Sequence, residues 1–136
     1  MNVVDSSGWL EYFTNGENAG FFAPAIEDSE NLIVPAICVY EVFKRLLQEV
    51  GESRALVNVG DMYTGQIAEL TAPIALIAAR ISVEMKLAMA DSVILATSRA
   101  YEAVLWTQDA DFEGMEKVKF VGPGPISRRR RRKDQQ

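Results

Sequence analysis

The chain contains no histidine. That absence removes Ser-His-Asp and Cys-His nucleophilic catalysis, and with them the histidine-ligated metallohydrolases. Cysteine is nearly absent as well. Cys38 stands alone, so no disulfide forms within the chain and no thiolate zinc site can be assembled. Any metal must be held by oxygen, and hydrolytic chemistry is left to carboxylates with a hard cation such as Mg²⁺ or Mn²⁺. No apolar run approaches the length of a membrane span, and the N-terminus lacks the basic segment of a secretory signal. A cytoplasmic protein with no membrane contact is the expectation.

What is present fits one globular domain. The 136 residues suffice to bury a core, and 49% apolar with 24% charged residues is ordinary for such a domain. The net charge of −5 is divided unevenly. Residues 1–127 carry 8 basic and 18 acidic side chains, a net of −10, whereas residues 128–136 carry 6 and 1, a net of +5. An acidic body is therefore followed by a basic tail, with Arg128 to Arg132 and Lys133 in an unbroken run. Such a run is either a solvated, disordered extension or a source of non-specific nucleic-acid affinity through counterion release.

Hydrophobic patterning predicts strands alternating with helices. Asn2 to Asp5 reads as a first strand, followed by a helix capped by Ser6 or Ser7 and running to Phe13. A helix is expected over 17–28, with Phe21, Phe22 and Ile26 buried and Pro24 delaying or breaking it. Asn31 to Val34 is a second strand ended by Pro35. Ala36 to Val50 forms the next helix, stopped by Gly51, with Val39, Val42, Phe43, Leu46, Leu47 and Val50 as its apolar stripe. Glu52 to Tyr63 is a further helix, and Ile67 to Leu70 a third strand. Thr71 caps a helix to about Lys86, with Pro73 in its first turn. Ala88 to Glu102 reads as helix, Val104 to Trp106 as a buried strand and Val118 to Val121 as a fifth. Gly122-Pro123-Gly124-Pro125 ends the globular part, giving a domain over 1–121 and a linker and tail over 122–136. The alternation favours an α/β fold with a parallel sheet covered by helices on both faces.

On such a sheet the acids acquire a common address. Asp5 ends the first strand, Glu41 follows the second, Asp91 opens the helix before the fourth, and Asp109 and Asp111 follow the fourth. Ligands of open parallel sheets bind outside the carboxyl ends of the strands. Carboxylates gathered there repel one another unless a cation holds them. Two hard cations held by such a group can bind both sides of a phosphodiester, activating water and steadying the leaving oxygen. Each acid also has a plainer reading. Asp5 can cap a helix, Glu41 can pair with Arg45 on a solvated face, and Asp111 can cap the turn before Phe112. Arg45, Arg80 and Lys86 can contact phosphate, or can serve the helix dipole and solubility.

Four segments carry a resemblance: Val3-Val4-Asp5-Ser6-Ser7, Val34-Pro35 through Glu41-Val42, Leu87-Ala88-Met89-Ala90-Asp91-Ser92, and Leu105-Trp106-Thr107-Gln108-Asp109-Ala110-Asp111-Phe112. Over nearly all of residues 1–121 the chain resembles PIN-domain proteins of the kind represented by VapC toxins of type II toxin–antitoxin systems. The resemblance implies a Rossmann-like three-layer sandwich with a sheet of about five strands. It also implies an endoribonuclease dependent on Mg²⁺ or Mn²⁺, with Asp5, Glu41, Asp91 and Asp109 around the metal. Thr107 matches a hydroxyl position beside those acids, and Ser6 the hydroxyl residue after the first aspartate; both would fix carboxylates, with Asp111 in a supporting position. An antitoxin partner and a homodimer are implied, with apolar residues of the helices at 36–50 and 52–63 expected to contribute. The basic tail lies outside the family pattern.

Rival readings weaken on particular residues. A non-catalytic binding module of the same fold, taking RNA or protein, is the main alternative. A phosphoacceptor receiver domain needs paired acids at the first strand end and a lysine after the fifth, and neither is present. An aspartate-nucleophile phosphatase needs a second aspartate two residues after Asp5, where Ser7 stands.

Overall fold

The computed structural model describes residues 1–125. The basic run from Arg128, and the disorder expected of it, lie outside the described residues. Five strands form one sheet: β1 (Asn2–Val4), β2 (Leu32–Pro35), β3 (Gln66–Ala68), β4 (Val104–Thr107) and β5 (Val118–Phe120). All pair in parallel, in the order β3-β2-β1-β4-β5. The register sets Val3 against Ile33 on one side and Leu105 on the other, and all three are fully buried. β-branched and leucine side chains with both faces covered are what a central parallel strand requires.

The helices are α1 (Ser6–Phe13), α2 (Ala19–Glu27), α3 (Ala36–Val50), α4 (Glu52–Met62), α5 (Ala72–Met85) and α6 (Met89–Ala100). From β1 the chain steps outward through β2 to β3, then returns past β1 to β4 and β5. With right-handed crossovers, this reversal sets α1 to α4 on one face and α5 and α6 on the other. Packing agrees, since α1 lies on α2 and α3, α3 on α4, and α5 on α6. The reversal occurs between β1 and β4, which makes their carboxyl ends the natural crevice of the fold. Among the described residues, no helix is long and apolar enough to cross a membrane.

Several expectations are corrected. Asp5, rather than Ser6 or Ser7, caps α1. α2 continues through Pro24 because the carbonyl that loses its donor belongs to Gly20, which is exposed to water. Pro35 lies within β2, paired with Ala68; at φ −59° and ψ 135° its backbone is already extended. In α3, Cys38, Val42 and Leu46 face the sheet, while Leu47 and Val50 remain about 40% exposed. Phe21 is half-buried and packs its ring 5.3 Å from that of Trp106. Gly122 to Pro125 stay against the body: the Asn18 amide donates to the Gly122 carbonyl and to Gln108 Oε1.

Candidate metal centre

The site grows from the last residue of β1. Asp5 donates its backbone N–H to the Trp106 carbonyl of β4 and then turns into α1. Its side chain is almost wholly buried, and three groups of this chain hold it. Oδ1 accepts from the Gly8 N–H and from the Ser7 hydroxyl, each at 2.9 Å, and Oδ2 accepts from the Thr107 hydroxyl at 2.5 Å. Burial still outweighs these bonds and raises the Asp5 pKa above the usual carboxylate value, with a smaller upward push from Asp109.

Thr107, fully buried at the end of β4, links two of the acids. Its hydroxyl donates to Asp5 and accepts the Asp109 N–H at 2.9 Å. Asp109 in turn caps a short 3-10 turn over Ala110–Phe112, accepting the Asp111 N–H on Oδ1 at 2.9 Å. That turn folds Asp111 back. Oxygens of Asp91, Asp109 and Asp111 then lie within 4.8 Å of one another.

Asp91 reaches this point from the first turn of α6, and Glu41 from the second turn of α3. Burial, followed by the charges of Asp109, Asp5 and Glu41, pushes the Asp91 pKa up to about 6. Glu41 is half-buried, and its Oε1 accepts the Ser6 hydroxyl at 2.6 Å. Among the described residues, no lysine or arginine forms an ion pair with any of these five acids. Unpaired like charges, all offering oxygen, are the donor set that a hard divalent cation fits. The lone cysteine takes no part in this: it is buried against the Val4 carbonyl, and burial holds its thiol far above neutral pH.

A family model for the PIN domain matches residues 3–118. The chain belongs to the PIN-domain family. Comparison with curated proteins gives no match. Solved structures share the fold at low identity. A toxin–antitoxin complex from Klebsiella pneumoniae aligns with a TM-score of 0.74 at 22% identity, covering 88% of this chain and 96% of that one. VapC20 of Mycobacterium tuberculosis, described as a sarcin-ricin loop cleaving toxin, aligns at 0.70 and 18%, covering 87% and 98%. The DNA-bound VapBC complex of Salmonella typhimurium aligns at 0.71 and 14%, covering 89% and 96%.

Within this PIN fold, one group of three carboxylates brings its oxygens together. Asp91 and Asp109, both expected around the metal, are joined by Asp111, expected in a supporting position, while Asp5 and Glu41 stand outside the triplet and act on Asp91 through their charges. Ser7 and Gly8, which hold Asp5, were missed; the signal was an aspartate followed by Ser-Ser-Gly, a helix-cap pattern. The cations divide. Arg45 pairs through Nε with Glu49 at 2.6 Å, not with Glu41, and lines a hollow beside Glu41. Arg80 is exposed on α5, and Lys86 ends that helix in the left-handed conformation with φ 55°.

Proposed function

We propose that this PIN-domain protein is an endoribonuclease dependent on Mg²⁺ or Mn²⁺, and the toxin of a toxin–antitoxin pair. The observation that carries the reading is the group of unpaired carboxylates at the reversal point of the sheet, with three oxygens within 4.8 Å of one another. The neighbouring folds described as a loop-cleaving toxin and as toxin–antitoxin complexes support it.

In this reading Asp5, Asp91 and Asp109 hold the cation, with Glu41 and Asp111 close to it. When bound, such a cation acidifies water and offsets charge on phosphodiester oxygens. The chain's own residues do the positioning. Thr107 and Ser7 hold the Asp5 carboxylate in place and oppose the rise in pKa that its burial imposes. Thr107 also fixes the turn that carries Asp109 and Asp111. Ser6 occupies one oxygen of Glu41, leaving the other to orient an attacking water. The body carries a net −10, so productive contact with RNA depends on filling this site with positive charge.

An antitoxin would cover the crevice and the apolar hollow between α3 and α4, lined by Val39, Phe43, Leu47, Leu56 and Tyr63. A homodimer and a cytoplasmic location complete the proposal. The deciding experiment is cleavage of a structured RNA by purified, partner-free protein with Mg²⁺, Mn²⁺ or EDTA, beside Asp91→Asn. Cleavage that needs metal and disappears in the variant is expected. A folded protein that cuts under none of these conditions would instead be a non-catalytic binding module.

A further inference from the structure

Asn18 stands at the head of α2, where an asparagine ordinarily caps its own helix, yet its side chain makes no capping bond. It reaches across the carboxyl end of the sheet instead. Nδ2 donates one hydrogen to Gln108 Oε1 at 3.0 Å and the other to the Gly122 carbonyl at 3.1 Å, partners 90 and 104 residues further along the chain. Gln108 lies between Thr107 and Asp109, and Gly122 follows the end of β5 by two positions. The chemistry fixes the sense of both bonds. A backbone carbonyl can only accept, so Gly122 sets which end of the Asn18 amide faces it, and Asn18 then sets which end of Gln108 turns inward. The backbone of Asn18 is held from the other side, where its N–H donates to Glu11 Oε1 of α1 at 2.9 Å. A Cβ at Gly16 would stand 2.4 Å from that carboxyl group, so glycine at 16 leaves Glu11 its place. α1 thus grips Asp5 at its start and, through Glu11 and Asn18, grips the residue before Asp109 near its end.

We propose that Asn18 is a positioning residue of the metal centre, which holds the segment at Gln108 so that Asp109 and Asp111 stay beside Asp91. The inference rests on the reading of these acids as a cation site and adds a residue that touches none of them. Like charges favour conformations that separate them, so bringing three carboxylate oxygens within 4.8 Å of one another calls for a rigid frame. Thr107 anchors the segment at one residue, through its hydroxyl and through its carbonyl, which accepts the Val121 N–H at 3.0 Å. A single anchor leaves a pivot. Asn18 supplies a second anchor at the next residue, which fixes the direction in which Asp109 leaves β4. By holding Gly122 with the same amide, it also keeps the exits of β4 and β5 in register. Groups that orient metal-binding side chains tune affinity without touching the ion, and Asn18 extends that frame one bond outward from the ligands.

The test titrates Mn²⁺ into the metal-stripped full chain and reads the free ion by electron paramagnetic resonance, with thermal unfolding in EDTA beside it. Asn18→Ala removes both donors, and Gln108→Leu removes one acceptor. Each is expected to weaken Mn²⁺ binding about fivefold, less than the roughly 10- to 100-fold typical of groups that bond a ligand directly. The double variant should bind no more weakly than Asn18→Ala, because both substitutions break the same bond. Ile26→Val, which loosens α2 in the core, should lower Tm and leave Mn²⁺ affinity unchanged, so that lost stability alone does not mimic the effect. RNA cleavage by Asn18→Ala should fall at low Mn²⁺ and recover as Mn²⁺ is raised. Wild-type Mn²⁺ affinity in both single variants, or losses that multiply in the double, would overturn the role of Asn18 and leave the cation site standing. A wild-type chain that binds no Mn²⁺ would overturn both. Asn18-dependent binding by a chain that cuts no RNA would uphold the anchor and defeat the nuclease reading.

Discussion

Thr107 satisfies two acids with one hydroxyl, which makes it the most informative single side chain to remove. Thr107→Val preserves shape but leaves Asp5 Oδ2 without its donor and the Asp109 N–H without its acceptor. Losing groups that orient metal-binding carboxylates typically costs 10- to 100-fold in activity or metal affinity, and a fall of about that size is expected in the cleavage assay. The hydroxyl also lowers the Asp5 pKa, so its loss should move the acid limb of the pH–rate profile to higher pH. Asp91 gives a second prediction with a sign that can be checked. Its folded-state pKa of about 6 exceeds the ordinary aspartate value of 3.8. The folded state therefore holds the proton more tightly, and stability falls as pH rises from roughly 4 to 6. That rise corresponds to roughly 3 kcal/mol, but the group is only half-buried and screening reduces this to about 1 kcal/mol. In EDTA at pH 7.5, Asp91→Asn should raise Tm by about 4 °C, and at pH 4 the gain should vanish. Added Mn²⁺ should stabilise the wild type and leave the variant unmoved.

At the scale of elements, α1 must lie close to β1 and α2 if Asp5 is to be capped where the site needs it. Gly8 makes that approach possible. A Cβ there would stand 2.6 Å from Val4 Cγ1 and 2.7 Å from the Phe22 ring. Gly8→Ala should cost about 1–3 kcal/mol through overpacking and should shift α1 away from Asp5, lowering both Tm and activity. Gly60→Ala, where a Cβ meets nothing within 4 Å in α4, should raise Tm slightly instead. Comparing the two by thermal unfolding separates close packing from helix propensity. The same elements show what the sequence made legible. Strand and helix order could be read from periodicity, and so could the placing of Asp5, Glu41, Asp91 and Asp109 near the carboxyl ends of strands. The closeness of Asp111 could not, because it depends on a three-residue turn held by one N–H on Asp109. Nor could Arg45's pairing with Glu49, or the bond from Ser6 to Glu41, 35 residues away in the chain. The outer half of the α3 stripe misled because periodicity marks apolar residues without saying what covers them: Leu47 and Val50 border open surface beside α4.

At the scale of the whole molecule, an acidic body must handle a polyanion, and the chain carries six of its fourteen basic side chains at one end. β5 runs toward the same end of the sheet as β1 and β4, and Asn18 ties Gly122 to Gln108 there. In the sequence, the basic run begins six positions after Gly122. Truncation after Ser127 removes a net +5 and takes the chain from −5 to −10. At physiological ionic strength, charges more than about 8 Å apart are largely screened, so the body's repulsion and the tail's attraction both act at short range and grow as salt falls. If the tail contacts RNA, each phosphate it neutralises adds about 0.7 to the salt slope on a single strand. The truncated chain should then bind single-stranded RNA more weakly at 50 mM than at 300 mM salt relative to wild type, with a flatter slope and an unchanged kcat. Equal affinity of the two chains at low salt would show the run to be a solvated extension, and would leave the bound cation as the source of positive charge for RNA.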